Sequence, residues 1–431
     1  MVQTALLFLG LFLQSFFFAH GVHGHRIHRR YFQEWSQPQG HSVNRLFKRG
    51  TDGVQYPAVG SSDWSSKYPR DGQTPKRNTI PKEWLDALND AVASGKVPNT
   101  PIPTMGSNGS PVYPNNQDPG SPNICSSTYQ CRSKDDIYDG PDGTFGVGFD
   151  DGPLPPTSTL VDFLKKNNET ATHFMIGYNV LSNPQQFLEI FQYGGDCAVH
   201  TWSHPYMTTL SNEDILAELG WTMQIIHDST GGKVPKIWRP PYGDSDVRVR
   251  AIAKVVFGMD TVIWNQDSAD WTMNNGKSTL DSVMNSLDGF VKGPKSPGLI
   301  ILEHESSDNT VKAFMDTYPK IKSNGWQTKS LVALLENGEA YQNVKGDTVN
   351  PAEIYVNPDG GNSTSSSTTS GSSTSQPTNS KSTVTSASGS PSSTAVSSNT
   401  SNSALALDSC SAFRQWLVLA IAISAVFVVI L

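Results

Sequence analysis

Six short apolar runs punctuate the middle of the chain, at 145–149, 171–176, 198–200, 237–239, 261–264 and 299–302. Each is too short for a helix and is bounded by turn-forming residues, which predicts strands. Between them apolar residues recur at helical spacing. Leu160, Val161, Phe163 and Leu164 mark one helix, and others are predicted over 211–229, 246–257, 279–291 and 310–323. Ser211, with Asp214 three residues on, is a helix-start signature. Strand–helix alternation repeated this often predicts parallel strands in an α/β fold. The chemically useful polar residues fall at or just after several strand ends. That favours a barrel, whose site is built at its C-terminal face, over an open sheet.

Upstream, residues 50–120 are rich in Pro, Gly, Ser and Asn, with one predicted helix that begins at Pro81 and ends at Gly95. Residues 50–135 are therefore expected to be an extended lead-in wrapped around a domain at 136–346. The apolar run from Ala5 to Phe18, followed by small residues at Ala19 and Gly21, predicts a secretory signal over 1–21, with a membrane anchor as the alternative. The basic, His-rich segment 22–49 ends on Lys48-Arg49, a dibasic processing signal. A pro-segment and an exposed arm both fit it.

At the other end, residues 347–402 are dominated by Ser and Thr and hold too few large apolar side chains to offset the entropy of ordering, so a disordered, glycosylated stalk is expected. Small residues at Asn402-Ser403-Ala404, a spacer and the terminal apolar run 416–431 match a glycosylphosphatidylinositol anchor signal, with Asn402 as attachment point and 403–431 removed. An ordinary terminal membrane helix is the alternative. Acceptor triplets for N-glycosylation stand at Asn108, Asn168, Asn362 and Asn399. Asn168 lies inside the folded region and must be exposed to serve.

The 431 residues carry a net charge of −7 and are 36% hydrophobic, enough for one substantial core. No basic stripe appears outside the N-terminal arm, so nucleic-acid binding is excluded. Of four cysteines, Cys410 falls in the anchor signal. Cys125 and Cys131 are the nearest pair in a compartment that permits disulfides, with Cys197 left buried and reduced; spacing alone does not choose the pair.

Five clusters carry chemistry. In Gly148-Phe149-Asp150-Asp151-Gly152-Pro153 two carboxylates close a buried strand. Neighbours on a strand point to opposite faces, so both reach one site only where Gly152-Pro153 breaks it. One carboxylate can then bind metal while the other takes a proton. In His200-Thr201-Trp202-Ser203-His204 the two His are expected on one face of a helical turn, where they can share a metal ion with Asp151. Thr201 stands where a zinc protease carries Glu. Arg239-Pro240-Pro241-Tyr242-Gly243, Asp267-Ser268-Ala269-Asp270-Trp271 and the apolar strand ending at Leu302-Glu303-His304-Glu305 complete the set.

In this order the clusters resemble the motifs of the polysaccharide deacetylase family, carbohydrate esterase family four, across about half of the chain. With the signal, stalk and anchor they look most like the fungal chitin deacetylases. The resemblance implies a distorted (β/α) barrel. It also implies Asp150 as general base, Asp151, His200 and His204 as metal ligands, and Arg239 as the residue orienting the base. Tyr242 lends its backbone N–H to the oxyanion and lines the substrate site. Asp270 partners His304, the general acid, and Trp271 and Leu302 form the pocket for the acetyl methyl. The implied cofactor is a divalent metal, zinc with cobalt as the alternative. The implied substrate is chitin or its oligomers, and the chain is expected to act as a monomer held to the membrane by its lipid anchor. Gly148 and Glu305 depart from the family pattern, where Ser or Thr and Asp are usual. A related acetylated glycan, partly deacetylated chitosan and a non-catalytic wall protein are the competing readings.

Overall fold

The computed structural model describes residues 35–47, 54–335 and 338–343. The expected signal, the dibasic site, the stalk, Asn362, Asn399 and the anchor site Asn402 lie outside the described residues. Among the described residues, no helix is long and apolar enough to cross a membrane.

The segment before the lead-in contains helix α1 (Val43–Leu46), and the lead-in forms α2 (Ser62–Ser65) and α3 (Lys82–Ala93), then a hairpin of β1 (Thr104–Met105) and β2 (Pro111–Val112). The lead-in contributes to the core. Trp64 and Trp84 are almost fully buried, and the Trp64 indole donates to Ser229 Oγ at 2.9 Å. The six-membered ring of Trp84 lies against the backbone of Gly220, where any Cβ would collide with it. The bond between Cys125 and Cys131 closes a turn of this segment, and Cys197 is buried and free.

The domain then alternates. β3 (Thr144–Asp150) leads to α4 (Thr157–Asn167), β4 (Thr172–Met175) to α5 (Gly177–Ser182) and α6 (Pro184–Tyr193), and β5 (Asp196–Val199) to α7 (Asn212–Ser229). β6 (Ile237–Trp238) precedes α8 (Val247–Phe257); β7 (Asp260–Thr261) and β8 (Gln266–Asp267) precede α9 (Leu280–Val291). β9 (Leu299–Leu302), α10 (Asp308–Ser323) and β10 (Gln327–Ser330) close the order. Ser211 caps α7 by accepting from the Asp214 N–H at 3.1 Å, as the start signature predicts.

All eight strands of this sheet pair in parallel, in the order β7-β6-β5-β4-β3-β9-β8 with β10 also on β3. The two ends of that path are one piece of chain. Residues 260–262 bond to β6 and residues 265–267 to β9, so the sheet curls back on itself. The ring is distorted on one edge of β3, where residues 144–147 pair with β10 and 148–150 with β4. This is the distorted barrel that was expected. Phe174, Ala198, Ile237, Val262, Ile300 and Leu331 pack together in its interior, while two larger clusters lie between the sheet and the helices. Gly148 has a packing reason: a Cβ there would stand 2.5 Å from Leu331 Cδ1, the side chain that plugs the ring.

Several boundaries and elements differ from the sequence reading. The run 198–200 is a strand over Asp196–Val199 with His200 beyond its end, and of the run 261–264 only Thr261 belongs to a strand, β7, with β8 starting beyond the run. β8 and β10 are polar and take their extended form from neighbours distant in sequence. α5 and α6 flank Asn183-Pro184, which interrupts a single helical period.

Candidate active site

The five clusters meet at the C-terminal end of the strands. β3 stays extended through Asp150, whose N–H and C=O bond to Glu303 O (3.0 Å) and the Glu305 N–H (3.1 Å), which sets Asp150 beside His304. Asp151 then turns to φ 73°. A residue with a Cβ rarely adopts the left-handed region, and the environment must hold it there. Asn179 Nδ2 donates to Asp151 O at 2.7 Å, and the Ile176 N–H to Gly152 O at 3.0 Å. The Glu305 carboxylate occupies the space where a Cβ on Gly152 would lie. This turn brings two adjacent carboxylates to one site.

The His200–His204 segment is not a helical turn. It is an irregular loop after β5, with Thr201 at φ 67° and His204 at φ 62°. Glu218 on α7 fixes this loop. Its buried carboxylate accepts from the Trp202 N–H (2.7 Å), the Ser203 N–H (2.8 Å) and Ser203 Oγ (2.6 Å). Both imidazoles still face Asp151. His200 Nε2 and His204 Nε2 lie 3.5 and 3.3 Å from Asp151 Oδ1, and the three side chains form a cluster able to hold a metal ion.

Three features test that fit. Asp151 Oδ1 is buried with no hydrogen-bond partner among the described residues, a costly state for an oxygen that has no further ligand. His200 Nδ1 donates to Arg239 O at 2.7 Å, which leaves Nε2 with its lone pair towards Asp151. Burial keeps His204 neutral, lowering its pKa to about 4. Burial alone would raise the Asp151 carboxyl, but His200, His204 and His304 outweigh it and hold it below the ordinary carboxylate range. Two imidazoles and a carboxylate make a ligand set with open positions.

Arg239 is fully buried, stacked 4.3 Å over the Phe174 ring, and its Nη1 donates to Asp150 Oδ1 at 2.7 Å. One Asp150 oxygen is thereby clamped; the other, Oδ2, lies 3.9 Å from His200 Nε2. Opposite, Asp270 holds His304 twice, through its ring Nδ1 (2.6 Å) and its backbone N–H (2.8 Å). Burial pushes His304 down, but Asp270, with Asp151 and Asp150 behind it, outweighs burial and raises the pKa to about 10. Tyr242, at φ 58°, turns its N–H away from any partner among the described residues. Its ring is half exposed against the edge of His204 at 4.6 Å. Trp271 is exposed and Leu302 buried. Of the two N-glycosylation triplets within the described residues, Asn108 and Asn168 are both exposed.

Sequence reasoning missed Glu218, Asn179 and the buried chain Tyr193–His173–Glu305, in which His173 bonds both partners at 2.9 Å. Glu218 had a signal: a carboxylate among Ile215, Leu219 and Thr222, on the face of α7 that the helical period assigns to the core. Glu218→Ala is expected to weaken divalent-metal binding about 10–100-fold, the size typical of a lost outer-shell partner. Calorimetric titration of zinc would read it, and wild-type affinity in a folded variant would contradict the role.

A barrel that gathers carboxylates, imidazoles and a buried guanidinium on one strand-end face has the architecture of an α/β-barrel enzyme site. Residues 138–260 match the model of the family described as polysaccharide deacetylase, and the chain belongs to that family. It is 45% identical over 304 residues to chitin deacetylase 3 of Cryptococcus neoformans var. neoformans serotype D, covering 69% of this chain and 72% of that one. Chitin deacetylase 2 of Cryptococcus neoformans var. grubii is 33% identical over 328 residues, 71% of each chain. A solved family 4 carbohydrate esterase from Streptomyces lividans is 33% identical, with a TM-score of 0.38, covering 44% of this chain and 91% of that one.

Proposed function

We propose that the protein hydrolyses the N-acetyl groups of N-acetylglucosamine units in chitin, giving acetate and glucosamine units. The observation that supports this most is the pairing at one place of an orphaned Asp151 oxygen facing two imidazoles with a second carboxylate clamped by Arg239. Asp151, His200 and His204 would hold the divalent metal, and their nitrogen and carboxylate donors suit zinc, with cobalt next. Such an ion would supply Lewis acidity to a bound water and to the acetyl carbonyl.

The chain's own residues do the rest. Asp150 takes the proton of the attacking water, with Arg239 holding one of its oxygens and so aiming the other. The Tyr242 N–H donates to the carbonyl oxygen as negative charge grows there. His304, kept protonated by Asp270, gives its proton to the nitrogen as the C–N bond breaks, so acetate and a free amine leave. Leu302 and Trp271 would enclose the methyl group. The ends of the chain fit a secreted, lipid-anchored protein at the cell surface, which release from intact cells by a phosphatidylinositol-specific phospholipase would test.

The central test is acetate release by purified protein from chitin oligomers and from other acetylated glycans, before and after chelation with metal added back. Release from chitin oligomers that chelation removes and metal restores is the expected result. Release only from the other glycans would move the substrate, and none from any substrate by folded, metal-loaded protein would leave a wall protein without catalysis.

A further inference from the structure

We infer that Glu305, held from behind by His173 and Tyr193, is a positioning residue that keeps Asp150, Asp151 and His304 in register. This rests on the reading just given and adds a support that the five clusters do not contain. Two strands carry the reacting groups. β3 ends on Asp150, with Asp151 next, and β9 runs out into His304. The Asp150 N–H donates to Glu303 O and the Glu305 N–H to Asp150 O, which places Asp150 beside His304. Past this bridge Asp151 turns away at φ 73°.

Glu305 continues the connection with its side chain. Its N–H binds the carbonyl just before Asp151, at 3.1 Å. Its carboxylate lies against Gly152, just after Asp151, where an added Cβ would collide with Oε1 and stand 2.8 Å from Cγ. One residue thus brackets Asp151 on both sides. A side-chain-bearing residue at positive φ needs such outside support. Asn179 and the Ile176 N–H hold the same turn from the β4 side. The contact from Glu305 comes instead from the residue that follows His304, so it links the turn to the opposite half of the site.

The carboxylate is aimed by two further side chains. His173 stands on β4 in register with Phe149, which packs in a cluster between sheet and helices. The His173 Nδ1 bonds Glu305 Oε1, and its Nε2 bonds the Tyr193 hydroxyl at the end of α6, both at 2.9 Å. The His173 and Glu305 side chains are fully buried, and Glu305 Oε2 has no hydrogen-bond partner among the described residues. A buried polar atom left so costs stability, and an apolar side chain of similar size would avoid that cost. The polar chain supplies direction instead. Two hydrogen bonds in series fix where the carboxylate points, and through it the turn that it abuts.

The test uses the full chain, loaded with zinc for kinetics on an N-acetylglucosamine tetramer and with cobalt(II) for its visible spectrum. The spectrum reports the arrangement of the metal ligands without turnover. Glu305→Ala is expected to lower kcat about 10–100-fold, the range for a lost outer-shell partner. It should leave KM within about twofold, because the contact orients reacting groups and does not touch substrate. It should also alter the cobalt spectrum. His173→Phe keeps a ring but not the hydrogen bonds. It should make the same changes to a smaller extent, and it covers the case in which the alanine variant does not fold. Glu305→Gln keeps the length and one oxygen for His173 Nδ1, and should restore both readouts. A glutamine variant as impaired as the alanine one would assign the effect to charge and overturn the positioning role. Unchanged kcat and spectrum in folded Glu305→Ala, or in His173→Phe if the alanine variant is lost, would overturn it too while the deacetylase reading stands. No acetate from the unaltered protein removes that reading, and the cobalt spectra then decide the role of Glu305 by themselves.

Discussion

Asp150→Asn is expected to lower acetate release about 10³-fold, in the range typical for loss of a positioned general base, while the protein stays folded and binds metal. The amide occupies the same volume and keeps an oxygen to accept from Arg239 Nη1, whose bond to Asp150 Oδ1 is 2.7 Å. It has no basic oxygen for the water's proton. The kcat and kcat/KM should fall together, because the interaction exists only in the transition state. Asp150→Ala separates the two roles of this residue. It also strips the buried Arg239 of its counter-charge, and breaking a buried pair from one side costs about 3–5 kcal/mol. The alanine variant should therefore be inactive and melt earlier, whereas the asparagine variant should be inactive and melt near the wild type. Steady-state kinetics with thermal denaturation on both proteins would check this. Near-normal turnover in Asp150→Asn would assign the base to another group.

Asp270→Asn is expected to lower kcat/KM about 10²-fold near neutral pH and to move the alkaline limb of its pH profile to lower pH. The sign follows from the groups around His304. Burial lowers its pKa, and the negative charge of Asp270 at 2.6 Å is the largest force raising it, to about 10. A general acid works in its protonated form, so activity is lost as pH rises through that value. With the charge removed, burial prevails and the proton is lost at lower pH. The Asn oxygen can still accept from the ring, which keeps His304 oriented and separates the charge effect from simple misplacement. His304→Ala should lower activity and abolish this limb, since no titrating acid remains. A pH profile of kcat/KM for the two variants reads the difference. An unshifted alkaline limb in active Asp270→Asn would mean that another group sets it.

The parts of the fold legible beforehand were those specified locally. β3, β4 and β9 are buried throughout and mostly apolar, as central strands of a covered parallel sheet are. α7 through α10 carry an apolar face at helical spacing and, at Ser211, a cap that needs only three neighbouring residues. β8 and β10 were invisible, because Gln266–Asp267 and Gln327–Ser330 have no strand pattern and are extended only where β9 and β3 supply hydrogen bonds. The His-x-x-x-His spacing was read as a helical turn for a similar reason. The local rule is sound, but Thr201 and His204 leave the helical path at positive φ, and Glu218, fourteen residues beyond His204, fixes the loop through the Trp202 and Ser203 N–H groups.

The order of the chemical groups was determined by the sequence alone, because each cluster is contiguous: two carboxylates at the end of a buried strand, two imidazoles four residues apart, an Arg beside paired prolines, and an acid and a His in the last two clusters. Their directions were decided only in three dimensions. Asp151, His204 and Tyr242 each sit at positive φ. Single residues do not hold that conformation by preference, and contacts from Asn179, Glu218, Asp244 and Glu305 on distant segments surround and support those turns. Reactive groups are a local property of the chain. Their convergence depends on long-range hydrogen bonds whose partners no short window of sequence contains.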